Sequence, residues 1–160
     1  MFQLPDLPHA FNYGYVSTPI GLIEVAEQEQ QVKHIYFVEQ ARSPETQNET
    51  LKLAKQQLSE YMTGERQIFD LPLAPEGTDF QKQVWAKMQT IKSGDTLTYK
   101  DISDDLKSAP RAVGGACGKN PIPIIIPCHR VLASNGGFGG YSGDGGIDTK
   151  KQLLTLEGAL

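Results

Sequence analysis

The stretch Thr98-Tyr99-Lys100-Asp101-Ile102-Ser103-Asp104-Asp105-Leu106-Lys107-Ser108-Ala109-Pro110-Arg111-Ala112-Val113-Gly114-Gly115-Ala116-Cys117 contains two helix starts a dozen residues apart. Thr98 is a capping residue, and Tyr99, Ile102 and Leu106 follow it at helical spacing. Pro110 is preorganised for the first position of a second helix, where its missing N–H costs nothing. Between Leu106 and Pro110 there is room only for a tight turn, so the pair reads as a helix-turn-helix. The second helix has small side chains, Ala112, Gly114, Gly115 and Ala116. Small residues let a backbone approach another surface closely. Two surfaces fit at this point, the packed interior of the protein and a nucleic-acid groove.

Working outward, Thr78 or Asp79 starts an upstream helix whose apolar stripe is Phe80, Val84, Met88 and Ile91, with Trp85 beside it in the core and Gly94 past its end. Downstream, a glycine-rich loop spans 135–146. It lacks the Lys and the strand-loop-helix context of a phosphate cradle. A closing helix runs from Asp148 to Glu157 and is ended by Gly158. Farther upstream, 65–78 reads as a linker with Pro72, Pro75 and Gly77. Residues 11–40 hold β-branched and aromatic runs between turns at Thr18-Pro19 and 28–31, which predicts a small antiparallel sheet. Leu51, Ala54, Leu58 and Tyr61 then fall at helical spacing before Gly64. The reading is an α+β chain in two domains. An N-terminal domain over 1–75 holds the antiparallel sheet with its helix. A mostly helical domain over 76–160 contains the helix-turn-helix.

Composition sets the outer bounds. The chain has 160 residues, 39% hydrophobic and 21% charged, ordinary for a globular protein. No apolar run is long enough to span a bilayer, and the start has no basic segment followed by an apolar core. Cys117 and Cys128 are the only cysteines, which argues against a disulfide-stapled secreted fold and for a reducing, cytoplasmic setting. The net charge of −4 is uneven: residues 1–75 carry 5 Lys/Arg against 10 Asp/Glu, whereas 76–160 carry 10 against 9. From Lys107 to Gly143 there are Lys107, Arg111, Lys119 and Arg130 and no acid. Such a stretch suits phosphates, and a chance gap in the acids gives the same pattern.

The chemistry-bearing segment is Asn120-Pro121-Ile122-Pro123-Ile124-Ile125-Ile126-Pro127-Cys128-His129-Arg130. A free cysteine is usually a small buried hydrophobe. Here the thiol follows an apolar, proline-fixed run and precedes a proton acceptor and a permanent cation. A neighbouring imidazole or positive charge is what generates the nucleophilic thiolate at neutral pH. If the chain is extended here, Cys128 and His129 point to opposite sides, which disfavours direct contact.

Asn120-Pro-x-Pro-Ile-x-Ile-Pro-Cys-His-Arg-Val131 resembles the active-site signature of the O6-alkylguanine-DNA alkyltransferases, also called methylated-DNA–protein-cysteine methyltransferases. The resemblance covers roughly 79–158. It includes Thr98-Tyr99, Arg111-Ala112-Val113-Gly114-Gly115-Ala116, Gly140-Tyr141-Ser142-Gly143 and Leu156-Glu157-Gly158 in the family's order. It implies a ribonuclease H-like N-terminal domain and an irreversible, single-turnover transfer of an alkyl group from O6 of guanine to Cys128, with O4-alkylthymine a further candidate substrate. By the same resemblance His129 accepts the thiol proton through a water and Glu157 orients His129. Tyr99 protonates the departing base, and Asn120 orders the turn beside them. Tyr141 and Ser142 line the base pocket. Arg111, on a helix inserted into the minor groove with Ala112 and Gly115, fills the gap left by a flipped-out base. Arg130 is grouped with the substrate-binding residues, with a structural role or a DNA contact as its two readings.

The expected partner is double-stranded DNA carrying alkylated bases, bound by a monomer, with no membrane and no cofactor. Residues 1–75 contain no cysteine, and His9 and His34 alone make a poor zinc site, so no metal is expected. A lesion sensor without chemistry and a cysteine hydrolase are the competing classes. No oxyanion-hole pattern supports the second.

Overall fold

A computed structural model describes residues 11–140 and 146–160. The chain divides into two compact units, Met1–Pro75 and Glu76–Leu160.

In the first unit β1 (Asn12–Thr18), β2 (Gly21–Gln28) and β3 (Gln31–Val38) form an antiparallel sheet in sequential order. Glu29 and Gln30 make the β2–β3 turn with φ of 54° and 66°. Positive φ at both central residues is what a tight hairpin turn matching the strand twist needs. Side chains alternate between faces, so Ile23, Val25, Ile35 and Phe37 share one face with Gly14. Helix α1 (Glu49–Met62) covers that face, and a Cβ on Gly14 would sit 3.4 Å from Leu51. Asn48 caps α1 by accepting from the Leu51 amide, and Gly64 follows its end at φ 81°. The other face buries Tyr13, Tyr15, Ala26 and Val38. Beside them lies Glu24, which accepts from the Tyr15 hydroxyl at 2.8 Å and pairs with Arg42 at 2.5 Å. The segment read as a linker is partly docked. Val32 donates to the Pro72 carbonyl and accepts from the Ala74 amide, bridging β3 to Leu73. Its prolines remove donors but leave these carbonyls free to pair.

The second unit opens with α2 (Asp79–Met88), which starts in a full capping box between Thr78 and Gln81. Val84, Trp85 and Met88 are buried. A two-residue strand, β4 (Leu97–Thr98), leads into α3 (Tyr99–Leu106), where Thr98 and Asp101 form a second capping box. Lys107 takes a left-handed conformation, φ 55°, and the chain turns into α4 (Pro110–Gly118) with Pro110 in its first turn. Trp85 ties α4 to α2 by donating its indole N–H to the Ala116 carbonyl at 2.9 Å. Cys128–Arg130 form a single 3-10 turn that runs into β5 (Val131–Leu132), and α5 (Ile147–Leu156) closes the unit. Strands β4 and β5 pair in parallel, Leu97 with Val131 and Thr98 with Leu132. This short ladder brings the start of α3, and with it Tyr99, beside the Cys-His-Arg turn. The fold is α+β, with the sheet and its helix in the first unit and a mostly helical second unit.

Candidate active site

The support under Cys128 is built by Asn120. Its side-chain amide donates to the Ile126 carbonyl at 2.8 Å, and its side-chain oxygen accepts from the Ile122 amide at 2.9 Å. One buried residue thereby closes both ends of the Pro121–Ile126 loop. Ile122, Ile124 and Ile126 are fully buried beneath it. Ile124 has φ 75°, a left-handed conformation that a β-branched residue rarely adopts. Packing and the Asn120 bonds hold it there, as strained positions near functional sites require.

The 3-10 turn changes the geometry expected from sequence. Cys128 and His129 do not lie on extended chain, so strand alternation does not govern their directions. Cys128 is 4% exposed and His129 is fully buried. His129 Nε2 lies 2.8 Å from Glu157 Oε2. A carboxylate only accepts, so Nε2 carries the proton and Nδ1 carries the lone pair. Nδ1 is buried with no hydrogen-bond partner among the described residues. This is the arrangement of a base whose tautomer is fixed from behind.

Of the two readings of Arg130, the structural one holds. The expectation of a substrate or DNA contact does not fit its position, because its guanidinium is turned inward and 6% exposed. Nε donates to Glu157 Oε1 at 2.9 Å, Nη2 to Glu157 Oε2 at 2.7 Å, and Nη1 to the Ile91 carbonyl at 2.5 Å. A bidentate, charge-assisted pair fixes the carboxylate in position and orientation. Glu157 thus holds both His129 and Arg130. The reading of Glu157 from its helix-end location alone would have been an exposed acid.

Burial holds the His129 pKa below its ordinary 6.5, with the nearby Arg130 and Lys150 charges acting the same way against the opposing pull of Glu157. Glu157 is already paired with Arg130, so a protonated imidazole would leave excess positive charge buried. A folded-state pKa below the unfolded one means the unfolded chain takes up the proton first. The corresponding stability is therefore present above about pH 6.5 and is lost as the pH falls below it, down through the lower folded-state value. The melting temperature should drop between about pH 7 and about pH 5, and His129→Gln should reduce that drop.

Tyr99 is half-buried at the start of α3. Burial pushes its hydroxyl pKa up to about 12, and negative charge on Cys117 or Cys128 would push in the same direction. The phenol is therefore protonated at neutral pH and is a hydrogen-bond donor. The loop closes over it at Gly139, φ 67°, where an added Cβ would lie 2.7 Å from the hydroxyl oxygen. Only glycine meets both conditions. Tyr141 and Ser142 lie outside the described residues.

On α4, Arg111, Ala112, Gly115, Gly118 and Lys119 are exposed, while Val113, Ala116 and Cys117 are buried. A Cβ on Gly115 or Gly118 would meet nothing within 4 Å, so internal packing does not explain those glycines. The helix presents a small-residue face with a cation at each end. Cys117 faces inward, its thiol 3.6 Å from the Met88 sulfur, and burial pushes its pKa up to about 12. It is a core residue that stays protonated.

One residue escaped sequence reasoning. Lys150 is fully buried on α5. Its ammonium donates to the carbonyls of Val131 at 2.7 Å, Gly140 at 3.1 Å and Phe138. The available signal was positional, because Lys150 shares a helical face with Leu153, Leu154 and Glu157. Among the described residues no group of three or more His, Cys, Asp or Glu is placed to hold a metal ion. No helix among them is long and apolar enough to cross a membrane.

Residues 79–159 match the family described as 6-O-methylguanine DNA methyltransferase, DNA binding domain, and residues 11–75 match the ribonuclease-like domain of the same family. The chain is 41% identical over 155 residues to a methylated-DNA–protein-cysteine methyltransferase of Methanosarcina acetivorans, covering 92% of this chain and 98% of that protein. It is 38% identical over 158 residues to the constitutive protein of the same description from Bacillus subtilis, covering 91% and 94%. A crystal structure of Mycobacterium tuberculosis OGT in complex with DNA superposes with a TM-score of 0.82 at 39% identity, covering 92% of this chain and 93% of that one. With both units matched, the chain belongs to the 6-O-methylguanine DNA methyltransferase family.

Proposed function

We propose that this protein repairs DNA by direct reversal, transferring the alkyl group of O6-alkylguanine to Cys128. The observation that carries the reading is the set of buried Cys128, His129 and Glu157 side chains with half-buried Tyr99, formed on one turn, one helix end and one helix start of the second unit. The thiol proton passes to the free Nδ1 of His129, through a water in the arrangement the sequence resembles. The thiolate attacks the alkyl carbon and a C–S bond forms. The C–O6 bond breaks and its electron pair stays with the base. Tyr99 gives its hydroxyl proton to a ring nitrogen of the departing guanine. His129 has gained a proton and Tyr99 has lost one, so the charges balance. The product is a thioether, which nothing in the site can cleave, and one chain acts once. No cofactor takes part.

The exposed face of α4 supports a DNA-binding role. Gly115 and Gly118 have no internal packing reason to be small, and Ala112 is exposed beside them. A helix reading bases in the major groove presents long polar side chains instead. We place this face in the minor groove, the protein acting as a cytoplasmic monomer, with Arg111 filling the gap left by the flipped base. O4-alkylthymine is a second candidate substrate.

The test is repair of O6-methylguanine in a duplex and as the free base. The duplex reaction should stop at one equivalent per chain. Arg111→Ala should slow it by roughly tenfold, about the cost of 1.4 kcal/mol of lost base-flipping support, and leave reaction with the free base unchanged. Equal losses on both substrates would remove Arg111 from base flipping. Repair of many equivalents per chain would point to a hydrolase.

A further inference from the structure

Helix α4 has little of what ordinarily holds a helix together. Three of its nine residues are glycines, Gly114, Gly115 and Gly118, a residue that disfavours helix. Its N-cap is Ala109, which makes no side-chain cap bond. No acid lies in its first turn. Arg111 sits there instead, a cation at the positive end of the helix dipole. Pro110 is its favourable start signal. Its buried face is only Val113, Ala116 and Cys117, a small apolar area. A helix this short does not persist on its own, so tertiary anchors supply the rest.

Two anchors stand at the C-terminal end, where the last carbonyls of a helix lack partners. The Asn120 amide donates to the Cys117 carbonyl at 3.2 Å. The Ala116 carbonyl accepts from the Lys119 amide at 3.2 Å and from the Trp85 indole at 2.9 Å. Trp85 is 1% exposed, so its bond to α4 is shielded from water. The indole is itself held in place. A Cβ on Gly77 would lie 2.5 Å from its Cη2 atom, so the chain at Gly77 lies directly against the ring. The capping box between Thr78 and Gln81 starts the helix that carries it. Trp85 is thus a fixed donor aimed at the last turn of α4.

Resting on the reading that the exposed face of α4 contacts DNA, we propose that Trp85 is a positioning residue for DNA binding. Its indole N–H holds the C-terminal turn of a marginal helix in the form that a duplex meets. The Cys128 support does not depend on this bond, because Asn120 closes the Pro121–Ile126 loop with its own side chain. Trp85 therefore acts on affinity for the duplex and not on the sulfur.

The test removes the donor in Trp85→Phe and displaces the ring in Gly77→Ala, both in the full chain. Gel shifts read duplex affinity, and hydrogen exchange reads the α4 amides. Transfer from free O6-methylguanine reads the chemistry. Both variants should weaken duplex binding by roughly tenfold, about the effect of one buried hydrogen bond. The α4 amides should exchange faster, and reaction with the free base should match the parent. Ala109→Ser then supplies the missing cap at the opposite end of α4, without touching Trp85. In the Trp85→Phe chain it should recover roughly fivefold of the lost affinity, the usual effect of a serine cap. In the parent it should change affinity little, because α4 is already formed there. A tryptophan that only filled the core would not be compensated by a cap at the far end of α4. Equal losses on duplex and free base, or no recovery with Ala109→Ser, would overturn the proposal. If the parent did not bind duplex DNA, the DNA-contact reading of α4 would fall, while the exchange rates would still decide whether Trp85 holds the helix.

Discussion

Cys128→Ala is expected to abolish alkyl transfer and leave DNA binding intact. Loss should be complete, because the sulfur is the atom that keeps the alkyl group and no neighbour can replace it. The other thiol, Cys117, is packed against Met88 and its pKa is pushed up to about 12, so it does not supply a thiolate. Cys128 is 4% exposed, and replacing its sulfur by hydrogen leaves a small void costing about 1 kcal/mol. That cost spares the α4 face, which carries Arg111 and Lys119 on the exterior. Gel-shift affinity for duplex DNA should therefore match the parent protein. A parallel loss of both activities would mean that Cys128 serves the fold and not the chemistry.

The second large effect is predicted at Glu157, and it is an effect on stability as well as rate. Its side chain is 1% exposed and accepts from His129 and, through two bonds, from Arg130. Glu157→Ala leaves a guanidinium buried with no anion. Breaking a buried pair from one side costs about 3–5 kcal/mol, a large share of the stability of a domain this size. The melting temperature should fall by roughly 10 °C. Glu157→Gln keeps the volume but removes the charge, and it lets the amide offer a donor to groups that need an acceptor. With the His129 tautomer no longer fixed, transfer should slow by about 10²-fold or more. Because Arg130 is the stranded partner, Arg130→Met combined with Glu157→Ala should recover part of the lost stability. Strictly additive losses would contradict the assigned network.

Legibility in the sequence followed the range of the interactions. The helix-turn-helix was readable because its signals are local: Thr98 caps α3, Tyr99, Ile102 and Leu106 follow at helical spacing, and Pro110 starts α4. The sheet was readable because its two tight turns separate apolar runs. The Glu157 contact with His129 spans 28 residues. Nothing in spacing or composition pointed to it, and it entered through family resemblance alone. Arg130 stayed open between a structural role and a DNA contact for the same reason, since its acceptors, Glu157 and the Ile91 carbonyl, are 27 and 39 residues away. The 3-10 turn at Cys128 was hidden by the preceding proline-rich run, which reads as extended chain. Lys150 was missed because lysine is normally an exposed residue, although its register with Leu153, Leu154 and Glu157 put it on the inner face of α5.

The central claim is that Cys128 is the atom-level acceptor of the alkyl group. It is tested most directly by incubating the protein with duplex DNA containing O6-methylguanine with an isotopically labelled methyl, then mapping the label by peptide mass spectrometry. The account predicts one labelled methyl per chain, on the peptide containing Cys128, with unmodified guanine left in the duplex. Label on the Cys117 peptide, or release of the methyl to solvent with the protein unmodified, would contradict it.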